Sequence, residues 1–316
     1  MTTDPVVVLL RDDHEEFDAL RDAVAEILGI PAGIVEKDYW ATEVLRSVTR
    51  PMDGVEEYVF KGGTSLSRAF QIIQRFSEDI DLLVVTSKTG NSLKRLLRGL
   101  ADRTNMELDS ACVREREGKG YLNARFSYAN RAEVTFLSDG VLLEMGCRGG
   151  ALPNRKCRIE SLLAQNAETV TVGSRSEYSD LDSFEVTVLA PERTLAEKLA
   201  FLHHNASCRD MERLRGGARH LYDVSQLLQD PSTIRALADG AIVEIMVDVD
   251  GRSDAAGWPF TRRPVEGFVS SPAFGDDPEI VDALQLGYED IAPLIWGDRP
   301  GFETIISNVV NCGLIL

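Results

Sequence analysis

Residues 61–81 carry the side chains whose types and spacing most directly indicate chemistry. The stretch reads KGGTSLSRAFQIIQRFSEDID, with a glycine pair near its start and two aspartates, one residue apart, at its end. Glycines before a helix let a phosphate approach the backbone N–H groups of the first helical turn. Two carboxylates on one strand face repel each other unless a cation lies between them, and their oxygen atoms suit Mg²⁺. The stretch therefore indicates a phosphate contact and a metal site.

Each of these two signals also has an ordinary structural explanation. An isolated D-x-D is more often a solvated strand end, and a glycine turn is more often a plain strand–helix connection. The turn lacks the G-K-[ST] of a Walker A loop and the G-x-G-x-x-G of a Rossmann fingerprint. In combination, a strand, a glycine turn, one helix and a D-x-D strand bring the turn and the carboxylates to the same end of a sheet. That layout resembles the nucleotidyltransferase superfamily.

Helices and strands alternate around this stretch as far as residue ~175. Apolar spacing and turn residues predict helices over 12–29, 34–48, 64–75 and 91–102, and strands over 57–60, 79–85, 122–128 and 141–147. The polar segment 171–185 reads as a linker, and it is followed by a strand, 186–189, and a helix, 191–203. The pattern is mostly helical to residue ~247, and 249–280 reads as loops.

These elements predict an α+β fold, with a nucleotidyltransferase-type mixed sheet and helices followed by a mostly helical C-terminal region. A length of 316 residues favours two domains over one. We assign residues 1–175 to the nucleotidyltransferase core with its N-terminal helices. Residues 176–316 form a mainly helical C-terminal domain in this prediction.

Composition places the chain among folded proteins of a reducing compartment. Apolar residues make up 44% of it, yet no stretch of ~18 uncharged apolar residues could span a membrane. The N-terminal apolar run has acids on both sides and no basic region, which is not the pattern of a secretory signal. Five scattered cysteines without a C-x-x-C indicate free thiols. We therefore expect a cytoplasmic protein with no membrane partner.

The net charge of −17 argues against a general nucleic-acid coat, but the charge is unevenly distributed. Residues 230–316 carry a balance of −10, so the preceding 229 residues carry only −7. Basic residues cluster at 113–131, 148–158 and 209–219, and Lys94, Arg95 and Arg98 make one side of a predicted helix basic. An anionic partner could therefore bind locally.

Three further sequence blocks resemble one narrower family. EKDYW (36–40), FKGGTSLSRAF (60–70) and RFSEDIDLL (75–83) look like the AbiEii/AbiGii toxin family of nucleotidyltransferases. The resemblance continues more weakly in ERTLAEKLAFL (192–202) and ARHLYDVSQLL (218–228), so it covers most of the chain. It implies the toxin of a bacterial toxin–antitoxin or phage-defence pair, with an AbiEi-like antitoxin as partner.

The resemblance also implies an activity and a set of site residues. Such proteins are similar to enzymes that use a nucleoside triphosphate and Mg²⁺, and some add nucleotides to the 3′ end of tRNA, which stops translation. The implied phosphate-binding turn is Lys61, Gly62, Gly63, Thr64 and Ser65. The implied metal and catalytic aspartates are Asp79 and Asp81. Lys198 and Asp223 match the later lysine and aspartate motifs, with Lys198 reaching a phosphate and Asp223 orienting Lys198 or a base.

A third carboxylate often completes such a site from a neighbouring strand. Glu144, in the apolar run VLLEMG, is our candidate for metal binding and catalysis, although it could equally be an outward-facing residue of an edge strand. Glu133 is a weaker alternative. Lys37 and Asp38 either form a surface ion pair or brace the site, and Arg75 either contacts phosphate or pairs with Glu78.

These parts fit nucleotidyl transfer with two Mg²⁺ ions, in which an acceptor hydroxyl attacks the α-phosphorus of the triphosphate. The acceptor is the least constrained part. The basic clusters favour tRNA, while the net charge leaves a protein side chain or a small molecule open. A nucleotide-binding regulatory module without transfer activity is a third possibility, against which two intact metal-binding carboxylates argue.

Overall fold

The structure is a computed structural model, and it describes residues 8–104, 106–115, 120–132, 134–147, 149–170 and 177–312. Glu133 lies outside the described residues. Seven strands and twelve helices are found within them. The strands are β1 (Glu57–Lys61), β2 (Asp79–Val85), β3 (Glu107–Glu115), β4 (Tyr121–Ser127), β5 (Val141–Gly146), β6 (Asn154–Ile159) and β7 (Phe184–Leu189).

The helices account for most of the remaining described chain. They are α1 (His14–Leu28), α2 (Ala32–Val48), α3 (Gly62–Arg68), α4 (Gly90–Ala101), α5 (Leu162–Val170), α6 (Pro191–Ser207), α7 (Met211–Gly216), α8 (Arg219–Leu227), α9 (Pro231–Leu237), α10 (Ala241–Ala256), α11 (Pro278–Asp290) and α12 (Phe302–Asn311). No helix among the described residues is both long and apolar enough to cross a membrane.

Two compact units divide the chain, and each is built from several segments. The first contains the described parts of 1–60, 78–147 and 156–188, and the second those of 61–77, 148–155 and 189–316. Segment 61–77 thus belongs to the same compact unit as the C-terminal helices. The predicted domain boundary after residue 175 instead assigns this segment to the N-terminal domain.

A seven-stranded mixed sheet forms the centre of the first unit, in the order β3-β4-β5-β2-β1-β7-β6. Strand β2 pairs in parallel with β5, and β1 with β7, whereas β4 is antiparallel to both β3 and β5. Burial alternates along β4, β5 and the first half of β2, so in this part of the sheet one face is buried and the other carries the polar side chains. The mixed sheet with its helices confirms the predicted α+β class.

The second unit has one apolar core made mainly by its helices. Leu66 of α3 and Ile73 pack in the same buried cluster as Leu195 and Leu199 of α6 and Leu221 of α8. The helix that follows the glycine pair is therefore anchored by apolar side chains, whose burial is the main favourable term in folding. This anchoring fixes the glycine turn relative to α6 and α8.

The helix predicted over 64–75 is wrong in length, because α3 ends at Arg68. Gln71 adopts a left-handed φ of 55°, and the backbone of Arg75 forms a β-bridge with Ile295. The N–H of Phe76 also donates to the carbonyl of Leu294 over 2.7 Å. Backbone pairing within the second unit thus outweighs the helical propensity of this segment.

Two other predicted loops are partly wrong. Segment 249–280 is not all loop, since α10 continues to Ala256 and α11 begins at Pro278. In the predicted linker 171–185, of which 171–176 lies outside the described residues, Asp180 is buried and accepts from the N–H of Leu10 over 2.9 Å and from the hydroxyl of Tyr39. A polar segment can thus be structural when its side chains satisfy buried donors.

Candidate active site

The carboxylates of Asp79 and Asp81 lie on the polar face of β2. Both residues are half-buried, while Ile80 and Leu82 between and after them are fully buried on the apolar face. The period of two along a strand requires this arrangement. The sequence-based prediction that both aspartates share one face is therefore confirmed.

Glu144 lies on the same polar face of the sheet, one strand away. In the parallel pairing of β2 with β5, Asp81 is in register with Glu144. Glu144 is half-buried between the buried residues Leu143 and Met145. Because side chains in register on adjacent strands point to the same face, the structure brings the third predicted carboxylate beside Asp81. Strand β5 is an interior strand of the sheet, so the edge-strand alternative for Glu144 is wrong.

Two neutral donors from β4 hold Glu144 in place. Its Oε1 accepts from the hydroxyl of Tyr121 over 3.0 Å and from Nδ2 of Asn123 over 2.8 Å. Burial, followed by the negative charges of Glu144 and Asp81, raises the pKa of Tyr121 to about 12, so this hydroxyl keeps its proton and remains a donor. Sequence reasoning missed both donors, although the alternation in YLNARFS places them on one face.

The donor set on this face fits Mg²⁺ by residue type. Asp79, Asp81 and Glu144 offer only oxygen atoms, and Glu144 has a second oxygen beyond the one that Tyr121 and Asn123 occupy. In the part of the chain that the structure describes, however, no three carboxylate, imidazole or thiol groups converge closely enough to form a ready metal cluster. The type of ligand fits the ion, and the ligand geometry remains a prediction.

Lys37 of α2 is a fully buried lysine that reaches the start of β2. Its Nζ donates to a carboxylate oxygen of Glu78, to the carbonyl of Ser138 over 2.6 Å and to the hydroxyl of Ser138 over 3.0 Å. Glu78 also accepts from the N–H of Ser138 over 2.7 Å. Burial lowers the pKa of Lys37, and the charges of Glu78 and Asp79 oppose that shift.

The acids on either side of Lys37 are buried as well. Glu36 accepts the backbone N–H groups of Arg131 and Ala132, and Asp38 accepts the N–H of Leu162 over 2.6 Å. The three charged residues thus hold three different backbone segments around the sheet. Lys37 and Asp38 therefore brace the first unit, and the surface ion pair considered from the sequence is wrong.

The glycine turn of the second unit needs both of its glycines. Gly62 has a φ of 79°, a region that side chains disfavour. A Cβ on Gly63 would lie 2.5 Å from Nη2 of Arg75, so only glycine leaves room for that guanidinium. Thr64 and Ser65 are buried, and their hydroxyls donate to the carbonyls of Ser77 over 3.3 Å and Gly62 over 2.9 Å. These hydroxyls shape the turn, while the phosphate contact predicted for Lys61–Ser65 remains a prediction.

Arg75, Lys198 and Asp223 form a buried ionic cluster in the same unit. Arg75 donates from Nε and Nη2 to the two oxygens of Asp223, over 2.6 Å and 2.7 Å. Nζ of Lys198 lies 2.7 Å from Oδ2 of the same carboxylate. This contact fits the expectation that Asp223 orients Lys198 or a base, and that role remains a prediction. Arg75 pairs with Asp223, a partner that the two sequence-based alternatives for Arg75 did not include.

The charges of this cluster shift the pKa values of its members. Burial would raise the pKa of Asp223, but Arg75 and Lys198 outweigh burial and hold this pKa far below its usual value. Burial lowers the pKa of Lys198, and Asp223 opposes this effect. One carboxylate thus contacts two cations.

His220 joins this cluster and was not predicted as a site residue. Its Nδ1 lies 3.1 Å from Nζ of Lys198, and its ring packs edge-on against Phe201 at a centroid distance of 4.8 Å. Burial and the charge of Lys198 lower the pKa of His220 well below its ordinary value. A neutral ring facing an ammonium group must accept at Nδ1, so its proton is on Nε2. The sequence signal available was the H-x-x-D spacing to Asp223 on one helix.

Two adjacent histidines at the end of α6, His203 and His204, make structural contacts. His203 Nδ1 lies 2.9 Å from the hydroxyl of Ser271, and its Nε2 lies 3.1 Å from the carbonyl of Arg262. His204 Nδ1 lies 3.0 Å from the hydroxyl of Thr261. These contacts tie the end of α6 to segment 261–271, so neither ring is placed as a metal ligand.

Comparison with solved structures shows what this fold resembles. The chain is similar to MenT4, a nucleotidyltransferase toxin from Mycobacterium tuberculosis H37Rv, with a TM-score of 0.50 and 20% sequence identity. The alignment covers 93% of this chain and 88% of that one. At this identity the likeness establishes the fold. A search of curated protein sequences gives no significant match.

A family model covers most of the sequence. Residues 52–306 match the family described as nucleotidyl transferase AbiEii toxin, type IV toxin–antitoxin system. The matched range contains the glycine turn, the three carboxylates of the sheet and the Arg75–Lys198–Asp223 cluster. The resemblance drawn from the sequence motifs is thereby confirmed, and the chain belongs to the AbiEii family of nucleotidyltransferase toxins.

Proposed function

We propose that this toxin transfers a nucleotide from a nucleoside triphosphate to the 3′ end of tRNA, in a Mg²⁺-dependent reaction that blocks translation. The observation that carries the proposal is the set of carboxylates on one sheet face, Asp79 and Asp81 on β2 with Glu144 in register on β5. In this proposal the protein acts in the cytoplasm, contributes to phage defence and is restrained by an antitoxin.

Asp79, Asp81 and Glu144 would hold the metal. When bound there, Mg²⁺ would supply positive charge that lowers the pKa of the acceptor hydroxyl and stabilises the departing pyrophosphate. Tyr121 and Asn123 keep Glu144 in a single orientation through two hydrogen bonds. This fixed carboxylate limits the reorganisation that ligand binding would otherwise require.

Lys198 and Arg75 are our candidates for phosphate contacts in this proposal. Lys198 and Arg75 are buried cations that contact Asp223, and burial reduces the solvent screening of their attraction for an anion. Asp223 fixes the direction of both cations, which means that little side-chain entropy is lost when phosphate binds. A further contact, between Nδ1 of His220 and Nζ of Lys198 over 3.1 Å, also limits the movement of the Lys198 side chain.

The transfer balances without an additional reactant. A ribose hydroxyl oxygen of the acceptor attacks the α-phosphorus, and the bond between that phosphorus and the oxygen bridging to the β-phosphate breaks. Pyrophosphate leaves with the bonding electron pair, and the hydroxyl proton passes to solvent. Positioning and electrostatic stabilisation supply most of the rate enhancement for such reactions.

The experiment that tests this proposal supplies each α-labelled nucleoside triphosphate in turn, with Mg²⁺ and total tRNA. We expect label in tRNA, carried by one or a few of the four triphosphates. Label in the protein itself would instead assign a protein acceptor. Saturable triphosphate binding without any transfer would assign a regulatory nucleotide-binding module.

A further inference from the structure

The basic cluster 209–219 of the sequence is only partly neutralised by carboxylates. Arg215 pairs with Asp290, the last residue of α11, over 2.9 Å. Arg213 and Arg219 instead line a cleft, and Arg219 forms no ion pair with any residue that the structure describes. The cleft has a volume of about 710 Å³. This volume is within the range of roughly 300–1,000 Å³ that is typical of small-molecule sites.

Three helices of the second unit form this cleft. Phe201 comes from α6, Arg213 and Gly216 come from α7, and Arg219 and His220 come from α8. We call it the α7–α8 cleft. Buried leucines of all three helices pack in one apolar cluster, whose burial holds the helices together. The walls of the cleft are therefore fixed by the core of the second unit.

Two consecutive glycines at the end of α7 have different roles in the cleft. A Cβ on Gly217 would lie 2.2 Å from Cε1 of Phe201, so the backbone there packs directly against the ring. A Cβ on Gly216 would have no atom within 4 Å, and Gly216 does not have a left-handed φ. Neither packing nor backbone conformation thus requires glycine at position 216, although glycine is a poor helix former. An unobstructed cleft does explain it.

His220 connects the cleft to Lys198. Its Nδ1 lies 3.1 Å from Nζ of Lys198 and accepts from it, so the proton of the neutral ring is on Nε2. In the part of the chain that the structure describes, no group accepts a hydrogen bond from Nε2. The ring therefore has a donor for a molecule in the cleft. Because Lys198 is a candidate phosphate contact, a ligand held there by its phosphates could reach the cleft past a single ring.

We propose that the α7–α8 cleft binds the nucleoside portion of the nucleoside triphosphate. This inference rests on the proposed function, because it takes Lys198 as a contact of the phosphates. Phe201 and the planar guanidinium groups offer surfaces against which a base can pack. The Nε2–H of His220 and the N–H groups of Arg219 offer donors to the carbonyl and ring-nitrogen acceptors of a base.

The choice of a nucleoside over a further phosphate or an RNA backbone follows from two acids that also line the cleft. These are Asp210 and Glu212. Asp210 accepts the N–H of Arg213 over 3.1 Å with one oxygen, and its other oxygen lies 3.9 Å from Nε of Arg213. Carboxylates repel phosphates but accept hydrogen bonds from ribose hydroxyls. The two arginines and two acids of the cleft sum to no net charge, which suits a neutral polar group.

Comparing nucleoside triphosphates with inorganic triphosphate tests this inference, because inorganic triphosphate has no nucleoside. Isothermal titration calorimetry of the full chain, with Mg²⁺ and without tRNA, measures the affinity for each of the four nucleoside triphosphates and for inorganic triphosphate. The variant Gly216→Leu places a side chain in the cleft without meeting a neighbouring atom at its Cβ. We expect it to weaken binding of the tightest nucleoside triphosphate by at least about 10-fold and that of inorganic triphosphate by less than about twofold.

The matched control for this variant is Gly251→Leu, at an exposed position of α10 where a Cβ also has no atom within 4 Å. We expect it to keep both affinities. The inference is overturned if Gly216→Leu keeps the wild-type affinity for the nucleoside triphosphate. It is also overturned if this variant weakens inorganic triphosphate by the same factor, because the effect would then come from the phosphate contacts.

A second pair of variants tests the cleft without filling it. Arg219→Gln should weaken binding of the same nucleoside triphosphate by about 3–10-fold, the effect of losing about one hydrogen bond. Arg215→Gln removes the same charge from an arginine that pairs with Asp290, and it should keep the wild-type affinity. Equal losses in the two variants would indicate only net charge and would contradict a contact with Arg219.

The outcomes also separate this inference from the proposed function. If wild-type protein labels tRNA with nucleotide while Gly216→Leu and Arg219→Gln bind the triphosphate normally, only the assignment of the cleft is wrong. If wild-type protein binds no nucleoside triphosphate, the proposed function is wrong, and the assignment of the cleft fails with it. Circular dichroism melting of each variant shows that the comparison is between folded proteins.

Discussion

Lys198 and Arg75 share a single buried counterion, Asp223. Nζ of Lys198 lies 2.7 Å from Oδ2 of Asp223, and Arg75 donates to both oxygens of the same carboxylate. All three residues lie in sequence blocks that resemble the family, and Arg75 is the first residue of RFSEDIDLL. The arrangement holds two cations in fixed directions.

Replacing Asp223 by Asn removes the countercharge of two buried cations. Because an unpaired buried charge is strongly disfavoured, we expect the free energy of unfolding to fall by about 3–5 kcal/mol. Urea denaturation measures this difference. Asp254→Asn, at an exposed position of α10, is the matched control and should stay within about 0.5 kcal/mol of wild type. A stable Asp223→Asn protein would show that the cluster contributes little to folding.

Replacing Lys198 by Ala should lower the rate constant of transfer, kcat, by about 10²–10³-fold, the usual effect of removing one donor to developing negative charge. The exposed Lys156, which pairs with Glu185 over 3.0 Å, gives the control Lys156→Ala, whose kcat should match wild type. Steady-state kinetics with labelled triphosphate measures both. An unchanged kcat in Lys198→Ala would remove this lysine from the catalytic account.

His220 makes the free energy of unfolding depend on pH on the acid side of neutrality. Its folded-state pKa is lowered, so below about pH 6.5 the unfolded chain takes up a proton that the folded chain refuses. This contribution to stability is complete above that pH and is lost as pH falls, by about 1.4 kcal/mol per unit, until the folded-state pKa is reached.

The variant His220→Gln tests this pH dependence, since glutamine can still accept from Lys198 but does not titrate. Urea denaturation between about pH 7 and pH 5 should show a shallower loss of stability in the variant than in wild type. His203 also has a pKa lowered by burial, and it contributes equally to both proteins. If the free energy of unfolding changed with pH equally in both proteins, His220 would have the same pKa in the folded and unfolded states.

Gly63 tests the close contact between the glycine turn and Arg75. A Cβ there would lie 2.5 Å from Nη2 of Arg75, and Asp223 prevents the guanidinium from moving away. We expect Gly63→Ala to lower the free energy of unfolding by about 1–3 kcal/mol. Gly251, inside α10, has no atom within 4 Å of a Cβ, so Gly251→Ala should raise the same quantity by about 0.5–1 kcal/mol. Chemical denaturation measures the change in the free energy of unfolding for each variant. If Gly63→Ala raised this free energy as Gly251→Ala does, the close contact between Gly63 and Arg75 would be contradicted.

The prediction that the two aspartates share a face came from the alternation of side chains along a strand. The spacing of Asp79 and Asp81 determines that they share a face, because side chains alternate along any strand. The register of Asp81 with Glu144 depends on which strands are neighbours, and the order along the chain does not reveal that β2 pairs with β5. Tyr121 and Asn123 were missed for the same reason.

Contacts between distant segments explain the remaining differences. Arg75 and Asp223 are 148 residues apart in sequence, and no local pattern links them. The helix predicted through Arg75 ends early because residues 75 and 76 pair with 294 and 295, again far away in the chain. Lys198 and Asp223 were identified through the family resemblance, whereas His220 required the structure.

Nucleotide transfer by the carboxylate face can be measured in one paired labelling experiment. Wild-type protein, Mg²⁺ and tRNA are incubated with a triphosphate labelled at either the α- or the γ-phosphate. We expect α-label to enter the 3′ end of tRNA and γ-label to appear in pyrophosphate in equal amount. We also expect Asp79→Asn and Asp81→Asn, shown to be folded, to lower both signals by at least about 10³-fold. Unlabelled tRNA with the wild-type protein, or full labelling with either aspartate variant, would contradict nucleotide transfer by these carboxylates.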